Sequence, residues 1–130
     1  MPIKTFLAVL AFLGIVHGVA FLIAPDQVAM SYGLPPSSPL ALMSRFFGSA
    51  LIAWCGMLWM ARNFRDEGAV RAVLVCTAVA DAIGFVTAIA GTVSGTFNAT
   101  GWIAVAIYAF GTCGSVYFLM GNKQLVAAGT

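Results

Sequence analysis

Four stretches of about twenty predominantly apolar residues follow one another along this chain of 130, at residues 5–24, 40–61, 72–92 and 102–120. A helix rises about 1.5 Å per residue, so each run is long enough to cross a hydrocarbon layer about 30 Å thick. Hydrocarbon offers no partner to N–H or C=O groups, so a lipid-facing segment must close its own bonds in a helix or join a closed barrel. Barrel strands alternate apolar and polar residues with a period of two, and these runs do not. The expected fold is all-α: an integral membrane four-helix bundle filling residues 1–130 as one domain. Composition points the same way, since 62% of residues are hydrophobic and 8% charged, whereas about a quarter of a soluble domain is charged. The first run also has features of a signal peptide, because Lys4 precedes it and Gly18-Val19-Ala20 resembles a cleavage site. The apolar run continues past that site to Ala24, which favours a span.

Short loops rich in Lys and Arg resist translocation, so their distribution sets orientation. Lys4 precedes the first run, Arg62, Arg65 and Arg71 flank the loop between the second and third, and Lys123 follows the fourth. The other two loops hold no Lys or Arg. Both termini are therefore expected on the cytoplasmic side, N-in and C-in. A net charge of +2 with scattered carriers excludes a nucleic-acid surface, which needs clustered cations. The longest loop predicts a short interfacial helix over residues 25–32, stopped by Gly33 and Pro35. Ser37 or Ser38 should cap the next span, with Pro39 in its first turn. Asn98-Ala99-Thr100 matches a glycosylation acceptor, a pattern too short to carry weight.

Helices in lipid associate through close packing, which favours small residues three and four apart. Each span carries such a stripe: Gly14 and Gly18 in the first; Gly48 and Gly56, with Ser44 and Ser49, in the second; Gly84 and Gly91 in the third; Gly111 and Ser115 in the fourth. These faces are expected to line the bundle interior or a subunit interface. Trp59 and Trp102 fall where amphipathic rings reach headgroups.

Ionisable groups within hydrocarbon are costly, so each calls for a partner or a purpose. Three lie inside the spans: His17 and Arg45 fall roughly 8 to 10 Å below the outer surface, near the depth of Tyr108, and Asp81 falls close to the midplane. They form a candidate intramembrane polar cluster. Asp81 is the leading residue, either as a proton-binding carboxyl or as a hydrogen-bonding partner of Arg45 or of a hydroxyl that holds two helices in register. His17 is the only histidine, so two-histidine haem ligation within one chain is excluded. Cys55, Cys76 and Cys113 lie at a common depth in three spans and are weak candidates for a Cu(I) site, with packing as the simpler role.

Ser44-Arg45-Phe46-Phe47-Gly48, Trp59-Met60-Ala61-Arg62, Arg71-Ala72-Val73-Leu74 and Phe97-Asn98-Ala99-Thr100-Gly101-Trp102 together give a chain that resembles small bacterial four-helix membrane proteins, more distantly the DoxX-like ones. In size and span number it is also similar to small multidrug resistance transporters. The resemblance implies a multi-pass protein of the bacterial inner membrane. The transporter family's essential glutamate lies in its first span, where this chain has no carboxylate, and no DoxX-like redox motif is present. No functional residue is carried over.

No nucleophile, base and orienting group assemble into a catalytic motif. The simplest expectation is an accessory or structural bundle, as a homo-oligomer or a subunit of a membrane complex, with no cofactor. The alternatives are a proton-coupled small-solute transporter using Asp81, and a membrane protein that binds quinone, lipid or a soft metal. An elongated apolar cavity beside His17 and Tyr108 would mark the last.

Overall fold

The computed structural model describes residues 1–121 as five helices: α1 (Ile3–Ile23), α2 (Pro25–Ser31), α3 (Ser38–Ala61), α4 (Glu67–Val93) and α5 (Gly101–Gly121). Lys123, counted above for orientation, lies outside the described residues. Helices α1, α3, α4 and α5 are each long and apolar enough to cross a membrane.

The helix ends follow local chemistry. Gly33, at φ +81°, occupies the left-handed position after α2, and Leu34 N–H donates to Ala29 O at 2.9 Å while Gly33 N–H donates to Met30 O at 3.0 Å. This pair of hydrogen bonds closes the helix and needs a residue without a Cβ penalty at position 33. Ser37 Oγ accepts from Leu40 N–H at 3.4 Å, with Pro39 in the first turn of α3. Helix α4 begins at Glu67 and not at residue 72, because Asp66 Oδ1 accepts from Ala69 N–H at 2.6 Å and Glu67 places negative charge in the first turn. That capping turn is polar, so a search for apolar runs passes over it.

The spans pack as two antiparallel pairs, α1 with α3 and α4 with α5. Small residues make the first seam. A Cβ at Gly18 would lie 2.9 Å from Gly48 O, and one at Gly48 would lie 2.6 Å from Gly18 O, so the two backbones are in direct contact. Nearby, the Phe21 and Phe47 rings meet edge-on at 5.1 Å. The pairs join mainly at the end that carries the α3–α4 loop. There Phe6, Leu7, Leu10, Ala11, Cys55, Leu58, Ala61, Val73 and Leu74 form the buried core, and Phe6 packs on Phe110 and Phe118.

The outward faces are apolar on every span: Phe12, Phe46, Ile83, Val86 and Ile103 are each more than half exposed. Water-soluble monomers rarely expose contiguous apolar surface on that scale, whereas hydrocarbon solvates it. Trp59 and Trp102 are exposed near opposite ends, and the Arg62 guanidinium lies 3.5 Å above the Trp59 ring centroid.

Candidate intramembrane cavity

Toward the α2 end the two helix pairs draw apart around a cavity of about 410 Å³. All five helices contribute to its walls. The α2 residues Val28 and Ala29, then Tyr32, Leu34 and Phe97, cover its α2 end, and Leu10 and Leu58 of the core close the other. Thr77 and Ala88, eleven residues apart on α4, both line it, so it extends about 16 Å along the bundle.

The lining is mostly apolar and aromatic, with a few polar groups. His17, Asp81 and Tyr108, three members of the expected cluster, line it together. Arg45, the fourth, does not: it is exposed and absent from the wall, whereas its neighbour Ser44 is buried and lines it. Adjacent positions on a helix point about 100° apart, so a place in the outer half did not bring Arg45 onto the shared face. The expected Arg45–Asp81 partnership is therefore not formed.

Asp81 and Tyr108 are seated by a reciprocal arrangement across the α4–α5 seam. The Asp81 carboxyl rests against Gly111, where a Cβ would overlap Asp81 Oδ2 and lie 2.7 Å from Cγ. The Tyr108 ring rests against Gly84, where a Cβ would lie 2.6 Å from Cδ1 and 2.7 Å from Cζ. In each helix the polar residue and the glycine are three apart, and the antiparallel register sets each polar side chain into the other helix's notch. Gly91 and Gly101 receive Phe97 and Thr92 in the same manner.

The threonines of the wall leave little free hydrogen-bonding capacity. Thr77 and Thr87 hydroxyls donate to Val73 O and Ile83 O of their own helix at 2.8 and 2.9 Å. His17 Nδ1 lies 2.8 Å from Leu13 O. A carbonyl only accepts, so Nδ1 carries the proton and Nε2 of the neutral ring is left as an acceptor. The carboxyl of Asp81, the phenol of Tyr108, Nε2 of His17 and the hydroxyl of Ser44 are thus the wall's main groups for a ligand head.

Other expected positions fall elsewhere. Gly14 receives Cys55 Sγ at the α1–α3 seam, while a Cβ at Gly56 would meet nothing within 4 Å among the described residues, so no neighbour requires glycine there. Ser115 is fully buried and its hydroxyl has no hydrogen-bond partner among the described residues. Cys55 is buried, but Cys76 and Cys113 are exposed on α4 and α5. Among the described residues no three His, Cys, Asp or Glu side chains converge on a point.

No protein-family model, curated protein or solved structure matches the chain. What the cavity does must be argued from its own groups.

The cover over the α2 end is held by Asn98. Its backbone N–H donates to Tyr32 O at 2.9 Å, its Nδ2 donates to Ser31 O at 3.0 Å, and its Oδ1 accepts from Thr100 N–H at 2.9 Å. The Tyr32 and Phe97 rings meet at 5.3 Å beneath this clasp, and burial pushes the Tyr32 phenol above its ordinary range, which keeps it neutral. The side chain that matched a glycosylation acceptor is therefore occupied in tying α2 to the α4–α5 loop. Asn98→Ala removes two side-chain hydrogen bonds and is expected to loosen the clasp by about 1–2 kcal/mol. Faster amide hydrogen exchange in residues 25–34, with exchange in α3 unchanged, is the outcome to look for. Unaltered exchange in α2 would show that the clasp does not hold it.

Proposed function

We propose that the protein binds one small apolar molecule with a hydrogen-bonding head, a quinone or a single lipid, inside the membrane. The observation that carries this reading is the joint presence of His17, Asp81 and Tyr108 on the wall of one largely apolar cavity between the helix pairs. Ligand sites combine a mostly apolar lining with a few convergent polar groups, at volumes of about 300–1,000 Å³. A quinone carbonyl or lipid hydroxyl would meet the Asp81 carboxyl, the Tyr108 hydroxyl and His17 Nε2, while rings such as Phe21, Phe47 and Trp54 would enclose the body.

An oligomeric or accessory role drew support from the glycine stripes, yet Gly14, Gly18, Gly48, Gly84, Gly91 and Gly111 all meet side chains or backbone of their own chain. Proton-coupled transport through Asp81 needs access from both faces, and the packed core around Phe6, Leu7 and Leu74 stands between the cavity and one of them. Binding asks for neither a partner nor a second opening.

In our reading the α3–α4 loop, which carries Arg62 and Arg65, and the N-terminal end of α1, which carries Lys4, face the cytoplasm of a bacterial cell. The cavity then opens its polar groups in the outer half of the inner membrane, beneath α2.

Native mass spectrometry of the protein released from nanodiscs, incubated with decylubiquinone or with a monoacylglycerol, tests the reading and separates the two ligand sources. One adduct per chain is expected for at least one probe, lost in Ala104→Trp, which places an indole in the cavity. Equal adduct formation by the wild type and Ala104→Trp would refute binding at this site.

A further inference from the structure

The end of the bundle opposite α2 carries most of the chain's positive charge. Four of the six Lys and Arg residues, Lys4, Arg62, Arg65 and Arg71, belong to the α3–α4 loop and the helix ends around it. Packing gathers three of them. Ala61 belongs to the buried core at this end, Ile3 and Val70 pack against it, and their immediate neighbours in the chain are Arg62, Lys4 and Arg71.

Two carboxylates, Asp66 and Glu67, share this end, and both serve α4. Asp66 Oδ1 caps the helix by accepting from Ala69 N–H at 2.6 Å, and Glu67 occupies the first turn, where negative charge suits the helix dipole. Among the described residues no carboxylate or carbonyl accepts a hydrogen bond from any of the four cations, and Arg62 Nε is shielded from solvent with no partner at all. The cluster therefore has positive charge to offer to a ligand.

Arg62 is the most firmly placed of the four. Asn63 N–H donates to Met60 O at 3.0 Å and Phe64 N–H donates to Ala61 O at 3.1 Å, so the chain turns tightly past it. The Trp59 ring, 3.5 Å beneath the guanidinium, covers one face of the fork and holds it. Trp59, Met60 and Phe64 around it are exposed and apolar.

We infer that this end docks an anionic phospholipid of the surrounding bilayer, with Arg62 on the headgroup phosphate, Lys4, Arg65 and Arg71 supplying the field around it, and acyl chains along Trp59 and Met60. Charge complementarity selects the headgroup: a choline group would bring a fifth cation to the cluster, whereas a glycerol headgroup leaves the phosphate's charge uncompensated. A planar fork can give a phosphate two parallel N–H bonds, which a lysine cannot. The exposed apolar rim at the same level suits a lipid and offers nothing to a soluble phosphate. Each basic side chain near an anionic lipid surface strengthens binding by about fivefold. The docking site lies apart from the cavity and stands or falls independently of what the cavity binds.

Quenching of Trp59 tests it, with Trp54 and Trp102 replaced by Phe and the full chain in nanodiscs of unbrominated phosphatidylcholine. Dibrominated phosphatidylglycerol and dibrominated phosphatidylcholine are titrated in separately, and the ratio of their half-quenching mole fractions is compared within each variant. Phosphatidylglycerol is expected to act at a mole fraction at least about tenfold lower. Arg62→Lys keeps the charge but loses the fork, and should reduce this preference at least about fivefold, while Arg65→Lys and Arg45→Gln, the latter near the opposite end, leave it unchanged. Equal quenching by the two lipids would overturn the docking site, as would a preference that Arg62→Lys leaves intact. Relief of quenching by millimolar glycerol phosphate would assign the cluster to a soluble phosphate and overturn the lipid.

Discussion

Gly48→Leu is expected to destabilise the bundle by about 3 kcal/mol, near the upper end of what overpacking ordinarily costs. A Cβ at position 48 would lie 2.6 Å from Gly18 O, 3.0 Å from Phe21 Cβ and 3.1 Å from Leu22 N. Two of those three atoms are backbone, so no rotamer change relieves the overlap; α1 and α3 must separate along their seam. Separation also removes the dispersion contacts and close backbone approach that hold helices together in lipid, where burial of apolar surface supplies no drive. Ala53→Leu on the exposed face of the same helix adds three carbons, one fewer than Gly48→Leu, toward lipid and should change little. Reversible unfolding in mixed micelles, followed by far-ultraviolet circular dichroism, compares the two. Equal stability of Gly48→Leu and Ala53→Leu would mean that α1 and α3 do not meet at Gly18 and Gly48.

The second large effect is on binding. Gly111→Ala should weaken the ligand by about 10- to 100-fold, because the new methyl group occupies the notch in which the Asp81 carboxyl rests and turns that carboxyl away from the head. Gly111 itself touches no ligand, so its effect must pass through Asp81. Asp81→Leu, which removes the hydrogen bond, should cost about as much, and Gly111→Ala in the Asp81→Leu chain should then cost almost nothing further. Asp81→Asn keeps a donor and an acceptor in place and should stay within about fivefold of the wild type if the group serves only to hydrogen-bond. Gly84→Ala displaces the Tyr108 ring by the same logic. Titration of each variant with decylubiquinone or the monoacylglycerol gives the dissociation constants. Additive losses from Gly111→Ala and Asp81→Leu would show that the notch does not act through the carboxyl.

The four long helices were legible in the chain because hydrocarbon imposes length and apolarity on each one independently of its neighbours. Helix ends were legible too where one or two residues decide them, as at the Gly33 stop and the cap at Ser37 or Ser38. The start of α4 was not, since Asp66, Glu67 and Gly68 form a polar capping turn that hydropathy alone assigns to the loop. Side-chain partnerships depend on rotation about the helix axis, whereas Arg45 was grouped with Asp81 only as a second ionisable group inside the spans. The chain did hold a signal against that grouping: Ser44, Gly48 and Cys55 recur on one face of α3, and Arg45 and Gly56 each lie one residue off it. Nothing local marked Trp54, Phe97 or Tyr32 as cavity residues, because their roles arise only when the two helix pairs diverge. Likewise, Asn98 carried a glycosylation pattern while its clasp on Ser31 and Tyr32 joins positions 67 residues apart.

Occupancy of the cavity is read most directly from Trp54, which lines it. With Trp59 and Trp102 replaced by Phe, the remaining fluorescence is titrated with decylubiquinone and with dibrominated monoacylglycerol in nanodiscs of unbrominated lipid. Saturable quenching at one ligand per chain, weakened by Gly111→Ala and abolished by Ala104→Trp, is the expected result. Quenching that rises linearly with probe in the membrane, indifferent to both substitutions, would contradict a binding site between the helix pairs.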